Sequence, residues 1–250
     1  MKRLDGRVAL VTGVSRQISI GAAVVQRLHA EGATVVAAGW PAHDEERDYE
    51  VGVSLPVTPM EADFADPTAA VRLVDGVVAM HGAIDIVVAA HARASHGGLD
   101  EVEVDELDRS FAVNVSAVLQ LAKRFVAVHR PRDASPPVGR MLWFTSGQQI
   151  GPMDDEMIYA TTKAALYGIT PSLSKALADG RIIGNCINPG PVDTGYAEGA
   201  VHAKVASMFP DGRWGTPEQM AEFIAFLLSD AGSVIRGQVL DVENGFDRSV

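Results

Sequence analysis

The sequence predicts an α/β fold in which a single doubly wound parallel sheet carries helices on both faces. Short runs rich in valine and isoleucine alternate with longer segments whose apolar residues recur at helical spacing. The short runs are apolar throughout, which is typical of parallel strands buried on both faces. We find no linker, no break in composition and no internal repeat, so we expect residues 1–250 to form one domain.

The composition limits the classes of protein to which the chain can belong. A hydrophobic content of 47% over 250 residues is enough to bury a sizeable core. The net charge of −11 argues against a nucleic-acid partner, which requires clustered Lys and Arg. The single cysteine, Cys186, rules out an internal disulfide framework and suits a reducing compartment. No signal peptide or run of membrane-spanning length stands out, so we expect a cytoplasmic protein without a membrane partner.

The N-terminal segment has the pattern of a βαβ unit. The apolar run RVALVTG ends at Gly13, an amphipathic stretch ends at Gly32, and TVVAAGW forms a second apolar run. Strand, turn, helix and strand in this order open a Rossmann-type sheet. The turn between Gly13 and Gly21 leads into a helix N-terminus, whose free N–H groups and dipole favour a bound phosphate.

The rest of the chain continues the alternation of strands and helices. Residues 41–56 are polar and rich in turn formers, which predicts a surface loop with one broken helix at most. Pro171 lies inside a predicted helix and is expected to kink or break it. The other expected elements are a third strand ending near Asp63, a helix at 67–81, a strand at 84–90, a long helix at 105–129, a loop at 131–139, a strand at 140–146, a helix at 157–178, a strand at 181–188, a loop with some helical content at 196–213, a helix from Thr216 and a last strand at 237–245.

Four residues mark the expected position of a site. Ligands of doubly wound sheets bind outside the carboxyl ends of the strands. Gly13, Ala90, Ser146 and Pro189 all fall at predicted strand ends. We therefore expect these four residues to converge at one edge of the sheet.

The stretch from Ser146 to Lys163 holds the clearest candidates for chemistry. Tyr159 and Lys163 are four residues apart, so on a helix they share a face. An ammonium beside a phenol favours the phenolate, so we expect Lys163 to lower the pKa of Tyr159 and make it a proton donor. A Tyr-x-x-x-Lys pair is a weak signal on its own, and Ser146 has the alternative of simply ending a strand.

Taken together, these motifs resemble the short-chain dehydrogenase/reductase family, and most closely its bacterial 3-oxoacyl-(acyl carrier protein) reductases. The similarity covers nearly the whole chain. TGVSRQISIG at 12–21 resembles the family's glycine-rich turn, and FAVNVSA at 111–117 resembles the segment with its catalytic asparagine. The other matching positions are Asp63, Ser146, Tyr159, Lys163, the Pro189-Gly190 pair and Thr194.

The resemblance implies reversible hydride transfer between a nicotinamide cofactor and the carbonyl or secondary-alcohol carbon of a small molecule. It implies that Tyr159 transfers the proton, that Ser146 binds the reacting oxygen, that Lys163 holds the ribose, and that Asn114 supports a proton relay. The cofactor-binding positions that it implies are Gly13, Ser15, Arg16, Ser19, Ile20, Gly21, Gly39, Trp40, Asp63, Phe64, Ala90, His91, Tyr159, Lys163, Pro189, Gly190, Val192 and Thr194.

The resemblance also implies a homotetramer (or dimer) built on the long helix 105–129, the Tyr159 helix and the last strand. No metal site is expected, because His91 and His96 lack carboxylate support. Two alternatives stay open at the cofactor side. Asp63 could cap the next helix instead of contacting adenine, and Thr194 could serve only as a turn former.

The chain departs from the family's pattern in two places. The glycine turn is two residues longer, and Ser19 stands where the second glycine is usual, so we expect its hydroxyl to donate to a phosphate. Residues 89–92 read AAHA where the family usually has Asn-Asn-Ala-Gly, amides that brace the central strands. These departures favour an alternative function as a non-catalytic nucleotide-binding scaffold, whereas the intact set of Asn114, Ser146, Tyr159 and Lys163 favours an enzyme.

The end of the second predicted strand bears on the choice of cofactor. An acidic residue there would bind the ribose hydroxyls of NAD, but the chain has Gly39 followed by Trp40. Arg16 in the glycine turn could pair with a 2′-phosphate, so NADP(H) is favoured over NAD(H). The acidic residues at 44–46 would reverse this preference if their loop folded inward, which leaves an NAD-linked alcohol dehydrogenase as the alternative.

The substrate is expected to lie under residues 191–214, a segment able to close as a lid. Its side chains are mixed in character, so they do not distinguish a carrier-protein thioester from a small ketone, a sugar or a steroid. Gln148 and Gln149, just past Ser146, are expected to face the substrate.

Overall fold

A computed structural model describes residues 2–131 and 139–247 of the chain. Within them, seven strands form one parallel sheet in the order β3-β2-β1-β4-β5-β6-β7, which confirms the predicted doubly wound α/β fold. The strands are β1 (Val8–Thr12), β2 (Thr34–Gly39), β3 (Met60–Glu61), β4 (Ile86–Ala89), β5 (Gly139–Phe144), β6 (Ile182–Asn188) and β7 (Val239–Asp241).

Helices cover both faces of the sheet. They are α1 (Ile20–Ala30), α2 (Pro41–Glu45), α3 (Ala69–His81), α4 (Val104–Phe111), α5 (Ala117–Val128), α6 (Met157–Asp179), α7 (Gly199–Ser207) and α8 (Pro217–Leu228). Because neighbouring strand residues point to opposite faces, β1 sends Leu10 into the layer that contains α3, α5 and α6, and Val11 into the layer that contains α1 and α8. Every residue of β1 is buried, as its apolar run predicts.

The strand order reverses between β1 and β4. The chain winds from β1 outward to β3, then crosses back to β4 and winds the other way. Loops that follow strands on the two sides of such a reversal diverge, which leaves a crevice at the carboxyl edge. Gly13 closes the end of β1 with φ of +78°, and a Cβ atom there would lie 2.6 Å from the carbonyl oxygen of Ala90.

The observed elements differ from the sequence-based expectations in two places, the third strand and Pro171. The third strand is reduced to Met60–Glu61, because only Ala38 and Gly39 pair with it. Helix α7 supplies the helical content that was expected within the segment 196–213. Helix α6 runs through Pro171 without a break; this residue is exposed, so water can reach the carbonyl that its missing N–H leaves unbonded. The expected loop at 131–139 lies mostly outside the described residues.

The expected long helix at 105–129 exists, but its middle is wound differently. Between α4 and α5, residues Ala112–Ser116 form one π-helical segment, which contains the buried Asn114. The continuous helix Val104–Val128 has a mean hydropathy of 1.4 in its most apolar window, so by length and composition it could cross a membrane. A core helix meets the same test, and the buried side of α5 packs against α3.

Helix α8 offers a direct test of how the sequence fixes an element. Thr216 accepts a hydrogen bond from the Gln219 N–H, and the Gln219 side chain accepts one from the Thr216 N–H. We expect Thr216→Ala to lower the free energy of unfolding by about 1 kcal/mol, because one N–H of the first helical turn loses its partner. Urea denaturation measures the change. Thr216→Ser keeps the hydroxyl and should stay within a few tenths of a kcal/mol of the parent; an equal loss in both variants would contradict this account.

Candidate active site

The glycine turn between β1 and α1 is shaped by close backbone contacts. A Cβ atom on Gly21 would lie 2.4 Å from the carbonyl oxygen of Gly13, and one on Gly39 would lie 2.7 Å from Ser15 Oγ. The same Ser15 hydroxyl accepts a hydrogen bond from the Trp40 N–H at 2.9 Å. These contacts bring the start of α1 and the end of β2 together, as a turn that holds a dinucleotide requires.

Ser19 is the N-cap residue of α1. Its Oγ accepts a hydrogen bond from the Ala22 N–H at 3.0 Å. A hydroxyl that accepts through oxygen still has its own hydrogen to donate. Ser19 therefore fixes the helix N-terminus and can also donate to an anion in front of it, which is compatible with its expected role at a phosphate.

A cavity of about 530 Å³ lies at the carboxyl ends of β1 to β4. Most of the predicted cofactor residues line it, namely Gly13, Ser15, Arg16, Ser19, Ile20, Gly21, Gly39, Trp40, Asp63, Phe64, Ala90, His91 and Thr194. The other five, Tyr159, Lys163, Pro189, Gly190 and Val192, do not line it. The structure thus brings together most of the predicted cofactor residues, including Thr194 from the group expected near the nicotinamide, and the other five lie beyond this cavity.

Further residues line the cavity without having been predicted, namely His43, Asp44, Glu46, Ala62, Ala65, Ala92, Arg93, Arg109 and Val113. Several belong to the segment 41–56, which was expected to be a surface loop. In the structure this segment packs onto the glycine turn: Ser54 N–H donates to the Gln17 side chain at 2.7 Å, and Gly52 N–H donates to the Ser15 carbonyl at 3.0 Å. Pro41 after Trp40 was the signal for the short helix α2 that starts this inward path.

Arg16 connects the cavity to two other parts of the chain. Its guanidinium lies 4.0 Å from the centre of the Tyr49 ring and donates a hydrogen bond to the Thr194 carbonyl. Its Nε is buried and has no hydrogen-bond partner among the described residues. Burial raises the pKa of Asp44 while the positive charge of Arg16 opposes that shift, which puts a carboxylate in the field of this guanidinium. Arg16 therefore has both a cavity-facing position and an unused donor.

A cluster of charged side chains holds the far wall of the cavity. Arg93 donates to both carboxylate oxygens of Glu106 on α4 at 2.8 Å, and Arg47 lies 3.5 Å from the same carboxylate. Arg93 also donates to His43 Nδ1 at 3.2 Å. Burial and the neighbouring Arg93 charge lower the pKa of His43. This cluster ties α2 to α4 across the cavity.

His91 braces the central strands where the family usually has amides. Its Nε2 lies 3.1 Å from the Val113 carbonyl oxygen, which can only accept, so Nε2 carries the proton. Its Nδ1 then accepts from the Thr12 hydroxyl at 2.7 Å, and its ring packs on Phe64 with centroids 4.1 Å apart. Burial, reinforced by the Lys163 charge, lowers the pKa of His91 to about 3, so the ring is neutral at physiological pH.

Asn114 lies in the π-helical segment and is fully engaged. Its Oδ1 accepts from the Arg93 N–H at 2.6 Å, and its Nδ2 donates to the Arg93 carbonyl at 3.0 Å and to Thr162 Oγ1 at 2.9 Å. The amide thus joins the loop after β4 to α6, the helix that carries Tyr159. A buried amide with every group satisfied is a positioning element.

Tyr159 and Lys163 share one face of α6, as predicted. Lys163 Nζ lies 5.3 Å from the centre of the Tyr159 ring and donates to the Phe144 carbonyl at 3.1 Å. Ser146 follows β5, and its hydroxyl acts on the Tyr159 phenol by lowering its pKa, against the larger opposing effect of burial. Ser146, Tyr159 and Lys163 are therefore assembled in one place.

Lys163 was expected to lower the pKa of Tyr159, and this direction is wrong for this structure. Burial and the negative charge of Glu156 raise the pKa of the Tyr159 phenol above its ordinary value. Burial lowers the pKa of Lys163 to about 8. Both pKa shifts have the same cause, because burial disfavours the charged form of each group. At 5.3 Å from the ring, the Lys163 ammonium does not overcome this cost for Tyr159.

The polar residues after Ser146 are engaged within the protein. Gln148 Nε2 donates to Thr145 Oγ1 at 3.0 Å, and its Oε1 accepts from the Ser146 N–H at 3.2 Å. Gln149 donates to Asp241 at the end of β7 at 3.0 Å. Their amides support the loop that holds Ser146, which differs from the expectation that both face the substrate.

The segment 191–214 covers the outer side of the site. Trp214 stacks on His202 with centroids 4.9 Å apart, meets Tyr196 edge to face at 5.4 Å, and donates from Nε1 to the His202 carbonyl. His202 also lies 2.9 Å from Asp193. Gly190 has φ of +62°, and a Cβ atom there would lie 2.7 Å from Glu243. The contacts of Trp214 with His202 and Tyr196 give the covering segment its own packed centre.

The cavity fits a dinucleotide on structural grounds. The first turn of α1 presents backbone N–H groups that lack helical partners, which favour a phosphate. Arg16 lines the cavity with a positive charge that favours a further anion, and the close-packed glycines leave room for the backbone to approach. Within the described ranges 2–131 and 139–247, no group of three His, Cys, Asp or Glu side chains is close enough together to hold a metal ion.

The depressed pKa of His91 makes stability depend on pH. The unfolded chain binds a proton near pH 6.5, whereas the folded site resists it down to about pH 3, so stability falls as pH drops below about 6.5. We expect the His91 contribution to cost about 2 kcal/mol between pH 7 and pH 5. Denaturant titrations at both pH values should show a smaller loss for His91→Gln. The exposed His96, changed to Gln, is the matched control, and an unchanged loss in His91→Gln would contradict the neutral assignment.

Comparisons with known proteins agree with this geometry. The family model described as "Enoyl-(Acyl carrier protein) reductase" matches residues 13–247. The "Uncharacterized oxidoreductase YjdA" of Bacillus subtilis is 32% identical over 99% of this chain and 100% of the relative. The 3-oxoacyl-[acyl-carrier-protein] reductase FabG of Thermotoga maritima is 29% identical over 97% of this chain and 98% of its own.

Solved structures show the same fold. The crystal structure of a short-chain dehydrogenase from Burkholderia cenocepacia, in complex with NADP, superimposes with a TM-score of 0.82 and 30% identity. The match covers 97% of this chain and 98% of that one. Sheet order, the glycine turn, the Ser146, Tyr159 and Lys163 group and these matches lead to one conclusion: the chain belongs to the short-chain dehydrogenase/reductase family of oxidoreductases.

Proposed function

We propose that this protein uses NADP(H) to interconvert a carbonyl compound and the corresponding secondary alcohol, with Tyr159 as the proton donor and acceptor. One observation carries the proposal: Lys163 Nζ stands over the Tyr159 ring, and the Ser146 side chain, at the carboxyl end of β5, acts on the Tyr159 phenol. A serine hydroxyl and a tyrosine hydroxyl beside each other can offer two donors to one carbonyl oxygen.

The cofactor, when bound, supplies a hydride to the carbonyl carbon in reduction and accepts one in oxidation. As negative charge develops on the carbonyl oxygen, Ser146 and Tyr159 stabilise it by hydrogen bonds. Tyr159 then gives its proton to that oxygen and becomes a phenolate. The neutral phenol that the raised pKa maintains is the form that reduction needs.

Lys163 is placed to stabilise the phenolate once it forms. Its Nζ is anchored on the Phe144 carbonyl and lies above the ring, so its ammonium form faces the charge that Tyr159 acquires. With a pKa of about 8, Lys163 is mostly protonated at pH 7. Ribose hydroxyls are the group that we expect it to hold, in agreement with the family resemblance.

Asn114 acts through other residues. It fixes the loop after β4 against α6 and thereby sets the distance between the cavity and Tyr159. The π-helical winding around it offsets the regular ladder of backbone hydrogen bonds. We propose that a backbone carbonyl freed in this way supports the proton relay to Lys163.

The preference for NADP(H) is part of the proposal. Gly39 and Trp40 end β2 without a carboxylate, and Arg16 beside them has an unused buried donor. Asp44 and Glu46 also line the cavity, so the acidic stretch does fold inward, but Asp44 lies in the field of Arg16. Solved relatives carry NADP or NADPH in their descriptions, which supports the same preference.

For the substrate, we propose a class of compound. Full-length similarity to 3-oxoacyl-[acyl-carrier-protein] reductases favours a 3-oxoacyl-like carbonyl compound. Tyr196, Trp214 and Phe209 form the apolar part of the covering segment.

We propose that one domain contains both sites and forms a homotetramer or dimer. Cytoplasmic localisation without nucleic-acid or membrane partners stays a prediction of the sequence.

The role of Tyr159 is tested by removing its hydroxyl. We expect Tyr159→Phe to lower kcat for ethyl acetoacetate about 1,000-fold, because the proton donor is lost, while the Kd for NADPH, from fluorescence titration, changes less than about threefold. Tyr167→Phe, an exposed tyrosine on the same helix, is the control and should keep full activity. More than a tenth of the parent rate in Tyr159→Phe would refute the assignment.

The cofactor preference is tested by charge changes at two residues that line the cavity, Arg16 in the glycine turn and Asp44 in α2. We expect Arg16→Gln to lower kcat/KM for NADPH about tenfold relative to NADH, since a charge-assisted contact with the 2′-phosphate is lost. Arg16→Gln also removes the contacts of Arg16 to Tyr49 and Thr194. Their loss affects both cofactors alike, so it cancels in the ratio of the two kcat/KM values. Asp44→Asn should change the ratio in the opposite direction, because it removes a negative charge from the same place. An unchanged ratio in both variants would show that the 2′-position lies elsewhere.

A further inference from the structure

Glu156 stands directly before α6, three residues ahead of Tyr159. Residues three and four apart on a helix are neighbours, so Glu156, Tyr159 and Lys163 follow one another along a single face. The proposed proton donor therefore has a lysine on one side along the helix and a carboxylate on the other. The reaction described above makes no use of that carboxylate.

The loop after β4 holds this end of α6 in place. Gly97 N–H donates to the Asp155 carbonyl at 2.6 Å, and the Met157 N–H donates to the Gly97 carbonyl at 3.1 Å. These bonds enclose Glu156, whose side chain is 28% exposed. Across residues 2–131 and 139–247, the ion-pair partner shown for it is His96, at 3.8 Å. The carboxylate is thus largely withdrawn from water and paired only with an exposed imidazole.

The field of Glu156 reaches both sides of the substrate space. Its negative charge adds to burial in raising the pKa of the Tyr159 phenol and that of Tyr196 in the covering segment. Tyr159 contributes to the rise in the pKa of Tyr196 as well, so Tyr196 responds electrostatically to both residues. Burial, opposed by His96, raises the pKa of Glu156 itself. A substrate bound at Tyr159 under Tyr196 lies in the field of this carboxylate.

We propose that Glu156 determines substrate specificity: it excludes carbonyl compounds that carry a carboxylate near the reacting group and favours neutral or cationic ones. The inference rests on the proposed function, because it takes Tyr159 as the reacting centre. Like charges brought together in a partly desolvated site repel each other much more strongly than in water. Specificity built on such repulsion rejects the wrong ligand without adding contacts to the right one.

The test compares three ketones of similar size that differ in charge, namely ethyl acetoacetate, acetoacetate and 1-(dimethylamino)propan-2-one, with NADPH as the reductant. We expect the parent to prefer the ester over acetoacetate. Glu156→Gln should raise the kcat/KM ratio of acetoacetate to ester about tenfold and lower the ratio of amino ketone to ester. Because all three ketones use the same proton donor, these ratios cancel any change in the acidity of Tyr159. Ratios within twofold of the parent would overturn the proposal.

Asp154→Asn is the matched control, since it removes the same charge from an exposed residue nearby. Its ratios should match those of the parent, and an effect as large as that of Glu156→Gln would overturn the proposal by showing a response to net charge alone. A parent inactive on all three ketones would count against the proposed function. In that event, calorimetry with isobutyrate and isobutyramide on the NADPH complex decides: Glu156→Gln should tighten isobutyrate about tenfold and leave isobutyramide unchanged, and equal effects on both would overturn the inference.

Discussion

The contact between the carboxyl ends of β1 and β4 is the constraint on which the site depends. Gly13 lies so close to the Ala90 carbonyl that no side chain fits between them. The chain can leave β1 only in a left-handed conformation, with φ of +78°, and this sets the path of the turn into α1. The loop after β4 is turned the other way, towards α4 and α6. The cavity is the space between these two paths.

A buried polar network holds this geometry where the family usually has amides. Thr12, His91 and the Val113 carbonyl form one chain of hydrogen bonds, and Asn114 continues it to Thr162 on α6. Such a network is stable only if every member is satisfied, because an unpaired polar group in a low-dielectric interior is costly. A neutral imidazole meets this condition, since it accepts at one nitrogen and donates at the other. The replacement of Asn by Ala at 89 and 90 is thus offset by the histidine that follows.

The sequence predicted the sheet, the glycine turn and the assembly of Ser146, Tyr159 and Lys163, because each of these depends on local pattern. Periodicity and strand-end position are properties of short segments, and the fold then brings the segments together. The inward path of residues 41–56 was not predictable in the same way. It depends on Arg16 meeting Tyr49 and on the Arg93, Glu106 and His43 contacts, which join residues far apart in the chain. The role of His91 depends equally on partners at Thr12 and Val113.

Charge at the centre of the site follows from burial more than from pairing. A lysine beside a tyrosine was expected to generate a phenolate, yet burial favours the neutral form of both groups, so the pKa of Tyr159 rises and that of Lys163 falls. For reduction this arrangement is productive. The phenol retains its proton until an alkoxide, which is far more basic than a phenolate, forms beside it. The ammonium then lies over a ring that has just become negative, in a medium of low dielectric where their attraction is strong. Burial thus outweighs the lysine's influence on the resting phenol, and it strengthens that influence at the moment when charge develops.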